Sequence, residues 1–302
     1  MSDVVPSTGG SRPQRRILSV RVGLLFFAFL IALGGWQCYR YYRWASAPPS
    51  TGRTAGKPVV VLLPPGSSTG AIAHQLEQAG VVRSAFYFQT LAYRLGVASH
   101  LQAGEYAFTG DETPTQVVNK ISEGEVLRHR FTVPEGSTVT QVVAIIVRES
   151  PISRDTLLAT VNDASFVDSW LPAERSVREA LRVPTEGYLF PDTYQFRRDS
   201  SASAIVATMV DRLRQQLTPE RLRLAAEQGL SVHQLLTLAS IVEREARFDD
   251  ERPLIAAVYL NRLRQGMRLD ADPTVLYALG RVAGPISSSD LQVDSPYNTY
   301  RV

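Results

Sequence analysis

The sequence predicts an α+β protein built as an N-terminal transmembrane helix, a small α+β module and a mixed α+β domain that carries the chemistry. Three observations point there. Residues 22–36 form an uncharged apolar run, short β-branched runs end in Pro/Gly turns, and apolar residues at helical spacing follow those turns. At 302 residues and 44% hydrophobic content, the chain has material for two packed cores beyond the membrane segment.

The apolar run VGLLFFAFLIALGGW, extended through Gln37 and Cys38 to Tyr39, is long enough to cross hydrocarbon, which predicts a transmembrane helix over 22–39 after a tail over 1–21. Arg12, Arg15, Arg16 and Arg21 precede it. By the positive-inside rule they place the tail in the cytoplasm and the rest of the chain outside the inner membrane, although Arg40 and Arg43 on the far side weaken the bias. Trp36, Tyr39, Tyr41, Tyr42 and Trp44 read as an aromatic belt at the outer face. The competing reading is a cleaved signal peptide ending at Ala45-Ser46-Ala47, against which stand Pro48 and the intervening aromatic cluster. Cys38 follows bulky Trp36-Gln37, where a lipidated cysteine wants small residues, so it reads as a thiol buried in the helix. Residues 40–57, rich in Ser, Pro, Thr and Gly towards their end, read as a flexible tether.

A module over 58–127 comes next. Val59 to Leu63 is a strand stopped by Pro64-Pro65-Gly66; Ile72, Leu76 and Ala79 mark a helix before Gly80, and Phe86, Leu91, Tyr93 and Leu95 a second before Gly96. Gly104-Glu105-Tyr106-Ala107-Phe108 alternates as a strand, and a short helix covers 115–123. About seventy residues on, His129-Arg130-Phe131-Thr132-Val133-Pro134-Glu135-Gly136-Ser137 repeats the pattern of Val59-Val60-Val61-Leu62-Leu63-Pro64-Pro65-Gly66-Ser67, which reads as a duplication opening a domain over 128–302.

Composition excludes several classes. With 32 basic against 29 acidic residues and scattered arginines, no nucleic-acid-binding stripe exists. A single cysteine forbids an internal disulfide, and His74, His100, His129 and His233 stand too far apart for a short-spaced zinc site, so neither metal nor cofactor is expected.

Ser231-Val232-His233-Gln234 is a capping box, predicting a helix from Val232 to about Ala246. At 100° per residue Leu235, Leu238, Ala239, Val242 and Ala246 share an arc, with Leu236 and Ser240 on its other edge; Glu243 falls inside it beside Leu236 and Ala239, while Arg244 and Glu245 point away. A carboxyl among apolar neighbours holds its proton more tightly, as a general acid must. It could equally be a buried partner of an arginine or a backbone amide.

Leu238-Ala239-Ser240-Ile241-Val242-Glu243-Arg244-Glu245, Val258-Tyr259-Leu260-Asn261-Arg262-Leu263, Gly266-Met267-Arg268-Leu269 and Asp272-Pro273-Thr274-Val275-Leu276-Tyr277 stand in one order at close spacing. With Glu186-Gly187-Tyr188-Leu189-Phe190-Pro191-Asp192-Thr193-Tyr194 upstream and Ser295-Pro296-Tyr297-Asn298-Thr299-Tyr300 downstream, they resemble the endolytic murein transglycosylases, the MltG or YceG-like family. The module with its Gly-Glu-Tyr strand resembles the LysM-like module of such cell-wall enzymes.

The resemblance implies that Glu243 is the catalytic acid and that peptidoglycan glycan strands are cut between N-acetylmuramic acid and N-acetylglucosamine, leaving 1,6-anhydro ends. It also implies company with peptidoglycan synthases. Ser240, Thr274 and Asn298 of those motifs are candidate substrate contacts. Asp272 before Pro273 reads as a helix N-cap or a substrate contact, Asn261 as a buried brace or a sugar ligand, and Glu186 as a turn or supporting residue, or one that tunes Glu243 by repulsion. Tyr188, Tyr194, Tyr297 and Tyr300 could stack on sugars or fill core. Two rivals stand beside this reading: a non-catalytic wall-binding anchor, and a hydrolase with Glu186 or Asp272 as base. That family normally continues past Tyr300 with a Gly/Pro-rich segment and a further helix, so a wall of the cleft could be missing or the chain could be a C-terminal truncation.

Overall fold

The computed structural model describes residues 14–49, 58–171, 174 and 181–301. The predicted tail up to residue 13, residues 50–57 of the tether, and the side chains of Arg15, Arg16 and Arg21 lie outside the described residues. The chain divides into two compact units, Met1–Leu127 and Arg128–Val302.

Helix α1 covers Gln14–Ala45, and within it Leu24–Ala45 is long and apolar enough to cross a membrane. It runs past the predicted end. Residues 40–45, expected as tether, are helical because their side chains have partners: the Tyr41 hydroxyl lies 2.7 Å from Ser84 Oγ, the Tyr42 ring meets Tyr87 edge-on, and Ala45 is buried. Cys38 is exposed on the helix surface rather than enclosed by protein.

The rest of the first unit is a small α+β fold. Strand β1 (Val59–Leu63) pairs antiparallel with β2 (Gly104–Phe108), Val61 opposite Tyr106, and between them run α2 (Thr69–Gln78) and α3 (Ala85–Arg94), followed by α4 (Pro114–Glu123). Ser68 and Ser84 cap α2 and α3, and Thr113 and Gln116 form a capping box on α4. Val61, Leu63, Leu76, Phe88, Tyr106, Phe108, Val117 and Ile121 fill the core.

In the second unit β3 (Arg128–Thr132) pairs antiparallel with β4 (Thr193–Arg197), Phe131 opposite Tyr194. Between them lie α5 (Val139–Glu149), α6 (Arg154–Val161) and the single turn α7 (Ser165–Asp168); α8 (Ala202–Gln216) and α9 (Pro219–Glu227) follow. The repeated turn has the same local geometry in both units. Ser67 Oγ donates to the Pro64 carbonyl (2.8 Å) and Ser137 Oγ to that of Pro134 (2.7 Å), while Gly66 and Gly136 both have positive φ, 77° and 69°.

Helix α10 (Val232–Glu245) carries the predicted capping box of Ser231 and Gln234. It lies between two cores of this unit. Leu238, Ile241 and Val242 pack with Tyr259 of α11 (Arg252–Arg264) and with Ala271, ahead of α12 (Asp272–Ala278), whereas Leu236 packs on the main core of Phe131, Ile146, Tyr188 and Met209. Each fully buried aliphatic side chain contributes roughly 1.5–3 kcal/mol.

Two expectations about this helix need correction. Ala239 is exposed, and the packed side runs through Leu238, Ile241 and Val242 to Glu245, whose carboxylate accepts the Tyr259 hydroxyl at 3.3 Å. Glu245 therefore belongs to the buried side of α10. Glu243 sits on the flank shared with Leu236, because the helix faces two cores rather than one.

Candidate active site

Helix α10 presents Glu243 to the turn between β3 and α5. The carboxylate is half-buried, the Gly136 N–H donates to it, and an added Cβ at Gly136 would stand 3.6 Å from its Oε2. Burial raises its proton affinity first and the neighbouring Glu135 charge adds to that, while Arg252, Arg244 and the Gly136 amide pull the other way. The environment is thus not the apolar one expected. A charged, hydrogen-bonding turn closes over Glu243, and the upward shift survives it.

The arginines are themselves held. Arg244 Nη2 donates to the Val282 carbonyl at 3.0 Å, and Arg252 Nη2 lies 3.9 Å from Glu135 Oε2 and 3.2 Å from Asp249 Oδ1. Glu135 and Arg252 therefore both act on Glu243, with opposite sign, and form an ion pair with each other.

A second carboxylate meets the same turn from another side. Glu186 accepts the Val139 N–H at the start of α5 (3.1 Å) on Oε1 and the Tyr277 hydroxyl (3.3 Å) on Oε2. Burial pushes its carboxyl above the ordinary value, against the lowering effect of the Val139 amide, the Tyr277 hydroxyl and the Gly187 amide. Tyr277 packs edge-on against Tyr297, ring centroids 4.9 Å apart, and the Tyr297 hydroxyl accepts the Arg182 N–H at 3.0 Å. Glu186, Tyr277 and Tyr297 thereby tie α12 and the 295–300 segment to the loop before β4.

The remaining candidates separate by burial. Tyr188 is fully buried, stacked on His233 with its hydroxyl 3.1 Å from Nδ1, and Asn298 is fully buried, donating to the Leu291 and Val293 carbonyls. Neither presents a surface to a ligand. Tyr194 is also core, its hydroxyl donating to the Phe190 carbonyl. Asn261, expected as a buried amide, is exposed with Leu254 and Val258 on the outer side of α11 and accepts from Arg264 Nη1 at 3.1 Å.

Asp272 is not the N-cap of α12; Ala271 holds that position. The Asp272 carboxylate instead accepts the Tyr300 hydroxyl at 2.7 Å, while the Ala271 N–H is taken by Thr299 Oγ1. Thr274 Oγ1 donates to the Ala271 carbonyl and lies 2.9 Å from Thr299 Oγ1, so it fastens the C-terminal segment to α12. Ser240 is exposed one turn before Glu243, its hydroxyl turned onto the Thr237 carbonyl.

With that geometry in place, comparison with known proteins is decisive. The model of the YceG-like family matches residues 61–302. The chain belongs to that family.

This YceG-like chain is 34% identical over 251 residues to the endolytic murein transglycosylase of Bacillus subtilis (strain 168), covering 80% of this chain and 69% of that one. It is 28% identical to the endolytic murein transglycosylase of Streptococcus pneumoniae (serotype 2, strain D39), with 93% of this chain covered and 54% of the relative. The crystal structure of a YceG-like protein from Listeria monocytogenes superposes with a TM-score of 0.54 at 36% identity, covering 82% and 83% of the two chains. Sequence reasoning passed over Glu135, Arg252 and Tyr277. Glu135 stood in the repeated turn motif and Tyr277 in the Asp-Pro-Thr motif, but their partners come from segments far along the chain.

Proposed function

We propose that this chain is a membrane-anchored lytic transglycosylase that cuts peptidoglycan glycan strands internally, with Glu243 as its catalytic acid. One observation carries the reading: Glu243 is the carboxylate of the signature helix that is half-buried against the β3–α5 turn, with a proton affinity raised by burial. The activity named for the Bacillus and Streptococcus relatives supports the substrate class.

Glu243 donates its proton to the glycosidic oxygen between N-acetylmuramic acid and N-acetylglucosamine as the bond breaks and oxocarbenium character develops at the muramoyl C1. The carboxylate then accepts the proton of the muramoyl 6-hydroxyl as that oxygen attacks C1. A 1,6-anhydro ring closes without water, and the carboxyl is restored. The Gly136 amide and the arginines on its margin stabilise the intervening carboxylate.

Hydrolysis remains a second reading, and one observation favours a particular base for it. Glu186 has both oxygens engaged and Asp272 is held by Tyr300, whereas Glu135 is solvent-exposed beside Glu243. Digesting purified sacculi with the full chain and resolving the products by mass spectrometry tests both readings. Anhydro ends that vanish in Glu243→Gln support transglycosylation, reducing ends support hydrolysis through Glu135, and unchanged glycan in every arm leaves a wall-binding anchor.

The tail arginines and the apolar α1 support an inner-membrane location with the enzyme outside the cytoplasm. The β1–α2–α3–β2 order, closed by one antiparallel pair, supports a LysM-like glycan-binding role for the first unit. Such placement would bring the enzyme close to peptidoglycan synthases working at the same surface.

A further inference from the structure

Helix α3 of the first unit carries an apolar face that its own core does not use. Ala85, Phe88 and Ala92 are buried, yet Phe86 and Tyr93 are 70% and 62% exposed, and Leu95, just past the helix, is 45% exposed. Seven residues apart, Phe86 and Tyr93 lie on one side of the helix with exposed Thr90 between them and exposed Arg94 at its edge.

What lies beside this face is set by α1. The end of the anchor helix packs on the first turn of α3: Tyr41 hydroxyl on Ser84 Oγ at 2.7 Å, Tyr42 ring on Tyr87 at 5.8 Å, and Arg83 Nη1 to the Trp44 carbonyl at 3.5 Å, with Ala45 buried. A helix needs about 20 residues to cross hydrocarbon, which counted from Val22, the first residue of the uncharged run, ends near these aromatic residues. Tyr41, Tyr42 and Trp44 therefore stand at the depth where aromatic side chains settle between acyl chains and headgroups.

We propose that α3 is a second membrane contact, its Phe86–Tyr93 face lying in the lipid interface beside the exit of the anchor helix. The inference rests on α1 spanning a membrane. Phe86 enters the acyl boundary, the Tyr93 hydroxyl stays among the headgroups, and Arg94 at the edge of the face reaches lipid phosphates with its alkyl stem along the apolar layer. The module is then seated on the bilayer rather than hung from it.

The test uses the full chain in nanodiscs of phosphatidylethanolamine and phosphatidylglycerol. Spin labels are placed singly at Phe86→Cys, Tyr93→Cys and, as a water-facing reference on the same module, Glu125→Cys, each in a Cys38→Ser background; exposure of these positions keeps the fold undisturbed. Labels at 86 and 93 should collide with oxygen in preference to a soluble nickel chelate, severalfold more so than the label at 125. Native Cys38, labelled in the unsubstituted chain, reports the anchor. If Cys38 is oxygen-accessible while 86 and 93 behave like 125, the module stands free in water and the proposal is wrong. Immobilised labels that neither reagent reaches would mean a second copy covers the face, which overturns it equally. Nickel access at Cys38 itself would remove the spanning helix, and the proposal with it.

Discussion

Glu243 is held between opposing influences, and its titration follows from them. Because burial and Glu135 raise its pKa, the protonated acid persists to higher pH than an ordinary carboxyl, and with Glu243 as the proposed acid, cleavage should fall as pH climbs through that raised value. Glu135→Gln removes the repulsive neighbour, so the alkaline fall of the pH–rate profile should move to lower pH while anhydro products persist. Loss of all cleavage in that variant would favour Glu135 as a reacting group instead. Glu243→Gln should cost about 10²–10⁴ in rate with little change in thermal unfolding, since the amide can still accept the Gly136 N–H. Glu186 titrates in the same direction, again because of burial. Its pKa is raised in the folded state, so its contribution to stability is present below the unfolded carboxyl value and is lost as pH rises through the folded one. In Glu186→Gln that loss disappears. The variant should unfold with a flatter pH dependence than the parent across this window, measured by urea titration at several pH values.

At the scale of elements, the repeated Pro-X-Gly-Ser turn supplies its own control. Gly66 and Gly136 both occupy left-handed backbone, where an added Cβ costs roughly 1–2 kcal/mol. The surroundings differ: nothing lies within 4 Å of a Cβ at Gly66, whereas at Gly136 it meets Glu243 and Arg244. Gly66→Ala and Gly136→Ala should therefore lose similar stability in denaturant titration, but only Gly136→Ala should also lose cleavage. Equal activity in the two variants would separate the turn from the chemistry. Helix α10 depends on its start as well. Ser231 accepts the Gln234 N–H, and Glu174 receives the Val232 and His233 N–H groups at 2.9 and 2.8 Å, so Ser231→Ala should cost about 1 kcal/mol rather than unravel the helix. The same helix shows how far sequence pattern reaches. Its capping box and length were legible because they are local, whereas the side on which Glu243 falls depended on α10 touching two cores, which a single apolar arc cannot encode.

Across the whole molecule, the two units have separate cores. Phe88 and Ile146 are fully buried, one in each, and truncating either should cost about 2–5 kcal/mol. Calorimetry should show Phe88→Ala lowering one unfolding transition and Ile146→Ala the other; a single transition shifted by both would mean that the units unfold together. Sequence reading placed β1, β2 and α4 nearly to the residue and located α2 and α3 by their apolar spacing before Gly80 and Gly96, because each is bounded by a Gly or Pro turn or a side-chain cap. It ended α1 too early, since residues 40–45 read as an aromatic and arginine-bearing flank beyond the apolar run, whereas in the fold Ser84 and Tyr87, some forty residues on, pack against Tyr41 and Tyr42 of the continued helix.

The sequence alone determined the α+β class, the apolar N-terminal helix, the capping box that starts α10, and the signature position of Glu243, because periodicity, capping and turn chemistry act over a few residues. Tertiary structure alone decided which groups surround that carboxylate and which tyrosines and amides are sealed in the core. Those outcomes depend on segments far apart in the chain meeting in space: Glu135 and Arg252 at Glu243, Tyr277 at Glu186, and Tyr300 at Asp272.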